Sequence, residues 1–424
     1  MTDMQSLAVR RADIDFAYET VRSVVRRTPL ELSERLSAEY GARIYLKRED
    51  LQTVRSYKIR GAYNRMSRLT VKERADGIVC ASAGNHAQGV ARSCDLLGTP
   101  GAIFMPRNTP RQKVERVRAL GGPWVTLELI GDTFDEAKGH AARYAADTGK
   151  TVIHPFDDPA VVAGQGTVAR EIAEQMPESA EIVLAPVGGG GLLAGSAVYF
   201  ADASPGTRLI GVEPAGAASL QAALAAGHVV ALDRIDTFVD GAAVQAAGEV
   251  TRALCAALVP GTISRLITVP EGHVCTTMIA LYQSDGIIAE PAGALTVAAL
   301  DSLRDEIAGK AVVCIVSGGN NDISRYPEVL ERSLVYQGLK HYFLIEFSQR
   351  AGALRQYLDD ALGPRDDITL FEYVKKNNRE FGATLVGIEL SARDDLEPLL
   401  ARMATIGLRY QMVEAGSLLH RFLV

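Results

Sequence analysis

Between residues 40 and 325, short runs rich in Val and Ile alternate repeatedly with helical segments, and glycine marks many of the turns. "GIVCASAGNHAQGVARSCDLLG" reads as strand, turn and helix, and "GAIFMPRNTPRQKVERVRALGG" and "WVTLELIGDTFDEAKGHAARYAADTG" repeat that order. "TVIHPFDD" leads into "AVVAGQGTVAREIAEQM". "EIVLAPVGGGGLLAGSAVYFADA" and "RLIGVEPAGAASLQAALAAG" continue the pattern, and "AVVCIVSGGNND" closes it. Apolar strand runs separated by helices restrict the region to parallel sheets covered by helices, an α/β fold. So many units predict two doubly wound sheets rather than one. Ligands of such sheets lie beyond the carboxyl ends of the strands, so the turns after the strands are where chemistry belongs.

"RYPEVLERSLVYQGLK" then reads as a helical connector, and the grammar changes. "HYFLIEF" is a strand and "AGALRQYLDDALG" a helix, with Ser348 as its candidate N-cap. "DITLFEYVKKN" and "FGATLVGIEL" are strands around a polar turn, "DDLEPLLARMATIG" is a helix and "LRYQMVEAG" a final strand. The order β-α-β-β-α-β is the split βαβ of ferredoxin-like domains. The expected division is a catalytic region over residues 1–328, a connector over 329–340 and a tail over 341–424. Within the first, a smaller subdomain, roughly 52–155, is inserted in the larger. The tail has no obvious nucleophile, metal cluster or phosphate loop, and reads as an assembly domain or a small-ligand sensor.

Composition narrows the class of function. Net charge is −6, with no Lys- or Arg-rich tract, which argues against a nucleic-acid surface. No run approaches the roughly 18 apolar residues of a membrane span, and the start lacks a signal-peptide core. Cys80, Cys94, Cys255, Cys275 and Cys314 are scattered and odd in number, as expected of reduced thiols in a cytoplasmic protein. Seven histidines without an HExxH give no support to a zinc site.

Four turns carry chemistry. In "RSYKIRGAYN", Lys58 follows a strand-like run and is a candidate amine nucleophile. In "LAPVGGGGLLAG", Gly188 to Gly191 join a strand to a helix, where backbone amides and the helix N-terminus suit an anion. In "CASAGNHAQG", Ser82, Gly84 and Asn85 suit a carboxylate at a helix N-terminus, or a plain N-cap, and His86 reads as a structural hydrogen-bonder. In "VSGGNND", Ser317 would stand at a sheet's carboxyl edge, where a hydroxyl can meet a heterocycle nitrogen. A rival reading exists: Gly189 to Ala194 fit G-x-G-x-x-A, and Glu213 ends the next strand, as in a nicotinamide oxidoreductase. That reading leaves the other three turns without a role. A lysine, a phosphate cradle, a carboxylate turn and a serine together are the set that pyridoxal phosphate needs.

"LKREDLQTVRSYKIRGAYN", "SAGNHAQGVA", "PVGGGGLLAG" and "SGGNND", in this order, resemble the fold-type II pyridoxal-phosphate enzymes. In detail they resemble the biosynthetic threonine dehydratases (threonine ammonia-lyases), whose chains also end in an ACT-like domain. The resemblance implies that Lys58 binds the cofactor covalently, with Tyr57 flanking it. It implies that Ser82, Ala83, Gly84, Asn85 and His86 receive the substrate carboxylate, and that Asn85 also meets the cofactor's ring oxygen. Gly188, Gly189, Gly190, Gly191 and Leu192 would hold the phosphate, and Ser317 the pyridine nitrogen. Gly241 and Glu290 fall in recurrent segments near the cofactor. After "VEP" this chain offers only Ser219 where relatives with a divalent ion have an acid, so the resemblance implies a monovalent cation or none. It further implies dehydration of L-threonine, with L-serine as a second substrate, in a homo-oligomer (dimer or tetramer). Isoleucine, and valine beside it, would act as effectors near Gly352, Ala353 and Leu354. That turn reads "RAGAL", without the proline common in the family. Serine dehydratase, racemase, β-replacement and a non-catalytic amino-acid sensor are the other readings of the same residues.

Overall fold

The computed structural model describes residues 8–373, 380–414 and 416–423. Two compact units emerge, Met1–Asp322 and Ile323–Val424.

In chain order the strands of the first unit are β1 (Leu30–Leu32), β2 (Arg43–Arg48), β3 (Ile78–Ala81), β4 (Gly101–Met105), β5 (Val125–Leu129), β6 (Thr151–Val152), β7 (Ile182–Pro186), β8 (Arg208–Pro214), β9 (Ile263–Val269) and β10 (Ala311–Val316). They form a large sheet, ordered β1-β2-β10-β7-β8-β9, and a small one, ordered β5-β4-β3-β6. All pairings are parallel except the edge pair β1 and β2. The chain leaves the large sheet after β2, builds the small sheet and returns at β7. This is the doubly wound pair expected from the alternating pattern.

The central strands read "IVLAP" and "AVVCIV" because both their faces are covered; every residue in them is buried. Helices Pro159–Gln175 and Gly191–Ala203 close one face, and Ile172, Val183, Leu193, Phe200, Val313 and Ile315 belong to that core. A second cluster around Ile59, Ile78, Val90, Ile103 and Val117 holds the small sheet to helices Lys58–Ser67 and Asn85–Leu97.

The second unit contains β11 (Lys340–Ser348), β12 (Asp367–Tyr373), β13 (Phe381–Glu389) and β14 (Arg409–Met412), in the order β12-β13-β11-β14. The pairings are antiparallel, and helices Ala353–Asp360 and Leu396–Thr405 follow β11 and β13. This is the ferredoxin-like order, with Phe343, Phe347, Tyr357, Val386, Leu399 and Met403 in its core.

Two local expectations need correction. Ser348 is not a helix cap: it ends β11, and Gly352, in the left-handed region at φ 87°, precedes the helix. The last strand stops at Met412 rather than running through "VEAG", and a short helix, Leu418–Leu423, follows. The polar turn expected between β12 and β13 lies largely outside the described residues. Among the described residues no helix is long and apolar enough to cross a membrane.

Candidate active site

Strands β2, β10 and β7 are neighbours, so three of the four turns singled out in the sequence meet at one edge of the large sheet. Lys58 lies beyond β2 and begins the helix Lys58–Ser67; Ser317 follows β10; Gly188 to Gly191 follow β7. The first two turns are bonded to each other. Tyr57 N–H donates to Ser317 O at 3.1 Å, and Gly319 N–H to Arg55 O at 2.9 Å. Ser56 and Gly318 form an isolated antiparallel bridge. Arg55, at φ 56°, is the one non-glycine residue in the left-handed region among those described, a conformation retained only where neighbours hold it.

The Lys58 amine donates to Pro155 O at 3.1 Å and lies 5.4 Å from the centre of the Tyr57 ring. The surrounding protein disfavours its charge and brings it down to about 8, although Glu290 pulls the other way. Burial also pushes the Tyr57 phenol up, so it stays neutral. Ser317 Oγ is 3.3 Å from Ala292 O.

The glycine turn fits a phosphate monoester. Its N–H groups, from Gly188 to Leu192, have no protein acceptor among the described residues, and the helix Gly191–Ala203 begins there. Side chains are excluded: a Cβ at Gly189 would overlap the Phe156 ring, and one at Gly188 would lie 2.9 Å from the Ala242 backbone. Thr251 Oγ1 donates to Gly189 O at 2.6 Å and fixes the turn from behind. Gly189→Ala should therefore weaken cofactor retention by about 5- to 150-fold while secondary structure persists, since overpacking costs about 1–3 kcal/mol. Equilibrium dialysis of free against bound cofactor checks this.

The turn Ser82–His86 leads from β3 of the small sheet into helix Asn85–Leu97. Gly84 N–H donates to Ser82 Oγ at 3.3 Å, and the Asn85 and His86 amides have no protein acceptor among the described residues. The His86 side chain turns into the core, where Nε2 meets Ile153 O at 2.9 Å. Burial, with Lys58 nearby, lowers it to about 3, so it is neutral and contributes its backbone amide rather than a base. Asn85 Nδ2 donates to Glu290 at 2.5 Å, and a Cβ at Gly241 would stand 3.5 Å from the same carboxylate. The carboxylate turn, Gly241, Glu290 and the "SGGN" turn thus meet. Gly352, Ala353 and Leu354 lie in the second unit, where they open the helix Ala353–Asp360.

Two features went unread in the sequence. The first is the strap Ile153–Asp157. Its carbonyls at Ile153 and Pro155 serve His86 and Lys58, its Phe156 ring backs the glycine turn, and Asp157 accepts from the amides of Glu249, Val250 and Thr251. His154 Nδ1 accepts from Phe156 and Asp157 N–H, and burial lowers its pKa. The second is a buried quartet behind Lys58. Arg60 pairs with Glu49 and Glu171, each at 2.8 Å, and Lys47 with Glu171 at 2.6 Å.

The dinucleotide alternative fails at Glu213. Its carboxylate is fully buried and accepts from Leu220 and Gln221 N–H at 2.8 and 2.9 Å, so it is not presented to a ribose. Burial raises it to about 7 despite those bonds.

Comparison with known proteins agrees with this geometry. Residues 21–318 match the family described as pyridoxal-phosphate dependent enzyme, and residues 331–423 match the C-terminal regulatory domain of threonine dehydratase. The chain is 55% identical over 388 residues to a biosynthetic L-threonine dehydratase of Bacillus subtilis, covering 91% of each. It is 55% identical over 414 residues to that of Mycobacterium tuberculosis, covering 97% of this chain and 96% of the relative. Among solved structures, the processed form of threonine deaminase isoform 2 from Solanum lycopersicum superposes with a TM-score of 0.71 at 43% identity, over 76% of this chain and 92% of that one. Maize serine racemase superposes with a TM-score of 0.70 at 30% identity, over 78% of this chain and 99% of that one. The chain therefore belongs to the pyridoxal-phosphate dependent enzymes, within the family of the biosynthetic L-threonine dehydratases.

Proposed function

We propose that the protein converts L-threonine to 2-oxobutanoate and ammonia, the entry step to isoleucine, and that isoleucine inhibits it through the second unit. The observation that carries this reading is the direct bonding of the lysine turn to the Ser317 turn beside the glycine cradle. Bound pyridoxal phosphate supplies the electron sink for the pair released at Cα.

The chain's own residues do the rest. Lys58, near neutrality through burial, takes the Cα proton. The free amides of Asn85 and His86, with Ser82, hold the substrate carboxylate and so fix the direction of the Cα–H bond. The amides of Gly188 to Leu192 hold the phosphate, and Tyr57 and Gly241 flank the ring. Ser317 would offer the pyridine nitrogen a neutral partner in place of a carboxylate, which would favour elimination over transamination. Ser317→Asp should change the ring's protonation and lower elimination at least tenfold; an unchanged absorption spectrum and rate in that variant would remove this role.

Substrate choice between L-threonine and L-serine rests on one methyl group, worth about 1–3 kcal/mol, so serine should turn over with kcat/KM roughly 10- to 200-fold lower. Competing kinetics with both amino acids test the reading, and a larger kcat/KM for serine would reverse it. Residues 1–328 are assigned to catalysis and 341–424 to regulation, with residues 329–340 joining them. Effector binding near Gly352, Ala353 and Leu354, with isoleucine and valine as ligands, needs a site shared between two such domains, hence a homo-oligomer whose quaternary states differ in affinity. A cytoplasmic setting suits its five buried free thiols. Deleting residues 336–424 should abolish inhibition by isoleucine and spare turnover. Inhibition that survives the deletion places the effector site elsewhere.

A further inference from the structure

Glu290 is 3% exposed, and its surroundings are unusually specific. Its backbone N–H donates to Gly318 O at 3.1 Å, which ties it to the residue after Ser317. Its carboxylate accepts from Asn85 Nδ2 at 2.5 Å and from the Asn320 backbone. A Cβ at Gly318 would overlap Glu290 Oε1, so the glycine after Ser317 is required by this carboxylate. On its other side, Asn85 accepts through Oδ1 from Asn320 Nδ2 at 2.6 Å, and Asn320 Nδ2 also donates to Val54 O at 2.8 Å. The Asn85 amide is therefore gripped at both ends, by a donor on its oxygen and a carboxylate on its nitrogen.

That grip decides what Asn85 can offer a ligand. With Oδ1 facing a donor and Nδ2 facing a carboxylate, the amide cannot flip without opposing donor to donor. One N–H of Nδ2 is used, and the second is left to donate. We propose that Glu290 is a positioning residue, which acts through Asn85 by locking its amide so that Nδ2 donates to the cofactor's ring oxygen. This rests on the reading of Asn85 as a cofactor contact. The charged and titratable groups around Glu290 are Asp240, Lys113, Lys58 and Tyr57. Burial and Asp240 raise the carboxyl to about 7, against the pull of Asn85, Lys113 and the Asn320 amide.

The test is a double-mutant cycle on the cofactor-loaded full chain, with Glu290→Gln, Asn85→Ala and both together. The readouts are the free pyridoxal-phosphate concentration at half release and the visible absorption at saturating cofactor. Expected are at least tenfold weaker retention in each single variant and a double variant no weaker than the worse single, because Glu290 acts only through Asn85. Additive losses overturn the proposal, since they mean independent roles. Weakened Asn85→Ala with unchanged Glu290→Gln also overturns it, while leaving Asn85 as a contact. Unchanged retention in Asn85→Ala overturns the contact and the proposal together. A visible band at saturating cofactor shows that a variant has folded; where Glu290→Gln gives none, Glu290→Asp, which keeps the charge but withdraws it, replaces it in the same cycle.

Discussion

Lys58→Ala should abolish threonine turnover by a factor of about 10²–10⁴ or more, the usual contribution of a positioned general base. The amine lies by the Tyr57 ring, at the turn bonded to Ser317, and can both bind the cofactor and take the Cα proton. Its burial brings it to about 8. Freed during turnover, it acts as a base only when uncharged, so the rate should rise with pH up to about 8 and level off above. The variant removes that limb of the profile as well as the rate. Stopped assays of 2-oxoacid across pH 6 to 9 with added cofactor measure both. A variant that keeps more than about a tenth of the wild-type rate would take Lys58 out of the mechanism.

Glu171→Ala should cost about 3–5 kcal/mol of stability, the price of breaking a buried ion network from one side. Lys47, Arg60, Glu49 and Glu171 are all fully buried, and their charges balance. Burial works against the Arg60 charge, but Glu49 and Glu171 outweigh it. Burial lowers Lys47 even with both carboxylates beside it. Losing Glu171 leaves two cations facing one anion. Lys47 Nζ keeps Thr28 O and Gln175 Oε1, and Arg60 keeps Glu49, but neither replaces the lost charge. Because Arg60 lies in the first turn of the Lys58 helix, cofactor retention should fall too. Thermal unfolding should shift down by on the order of 10 °C. By contrast, removing the exposed Asp76 partner of Lys72 should leave the midpoint unchanged. A shift as small in Glu171→Ala would mean that the quartet does not stabilise the fold.

The sheets and the four turns were legible in the sequence because each leaves a local mark. A strand covered on both faces is apolar throughout, as "AVVCIV" is, and "GGGG" marks a turn with no room for side chains at Gly188 and Gly189. The strap Ile153–Asp157 was not legible. Phe156 looks like any core aromatic, and only the fold puts it against Gly189, more than thirty positions later in the chain. The quartet was hidden for the same reason, since Arg60 and Glu171 are 111 residues apart. Glu213 misled in the opposite direction: it stands at the spacing of a ribose acceptor, yet the helix that follows takes up its carboxylate. Ser348 looked like a cap by type, but β11 runs through it and Gly352 supplies the left-handed turn instead.

The central claim is that one lysine, Lys58, carries the cofactor and the proton. Borohydride reduction of the resting enzyme, followed by peptide mapping, tests it most directly. The account predicts the pyridoxyl mass on the peptide containing Lys58 and on no other. The same mass on Lys47, Lys113 or any other lysine, with Lys58 unmodified, would contradict it.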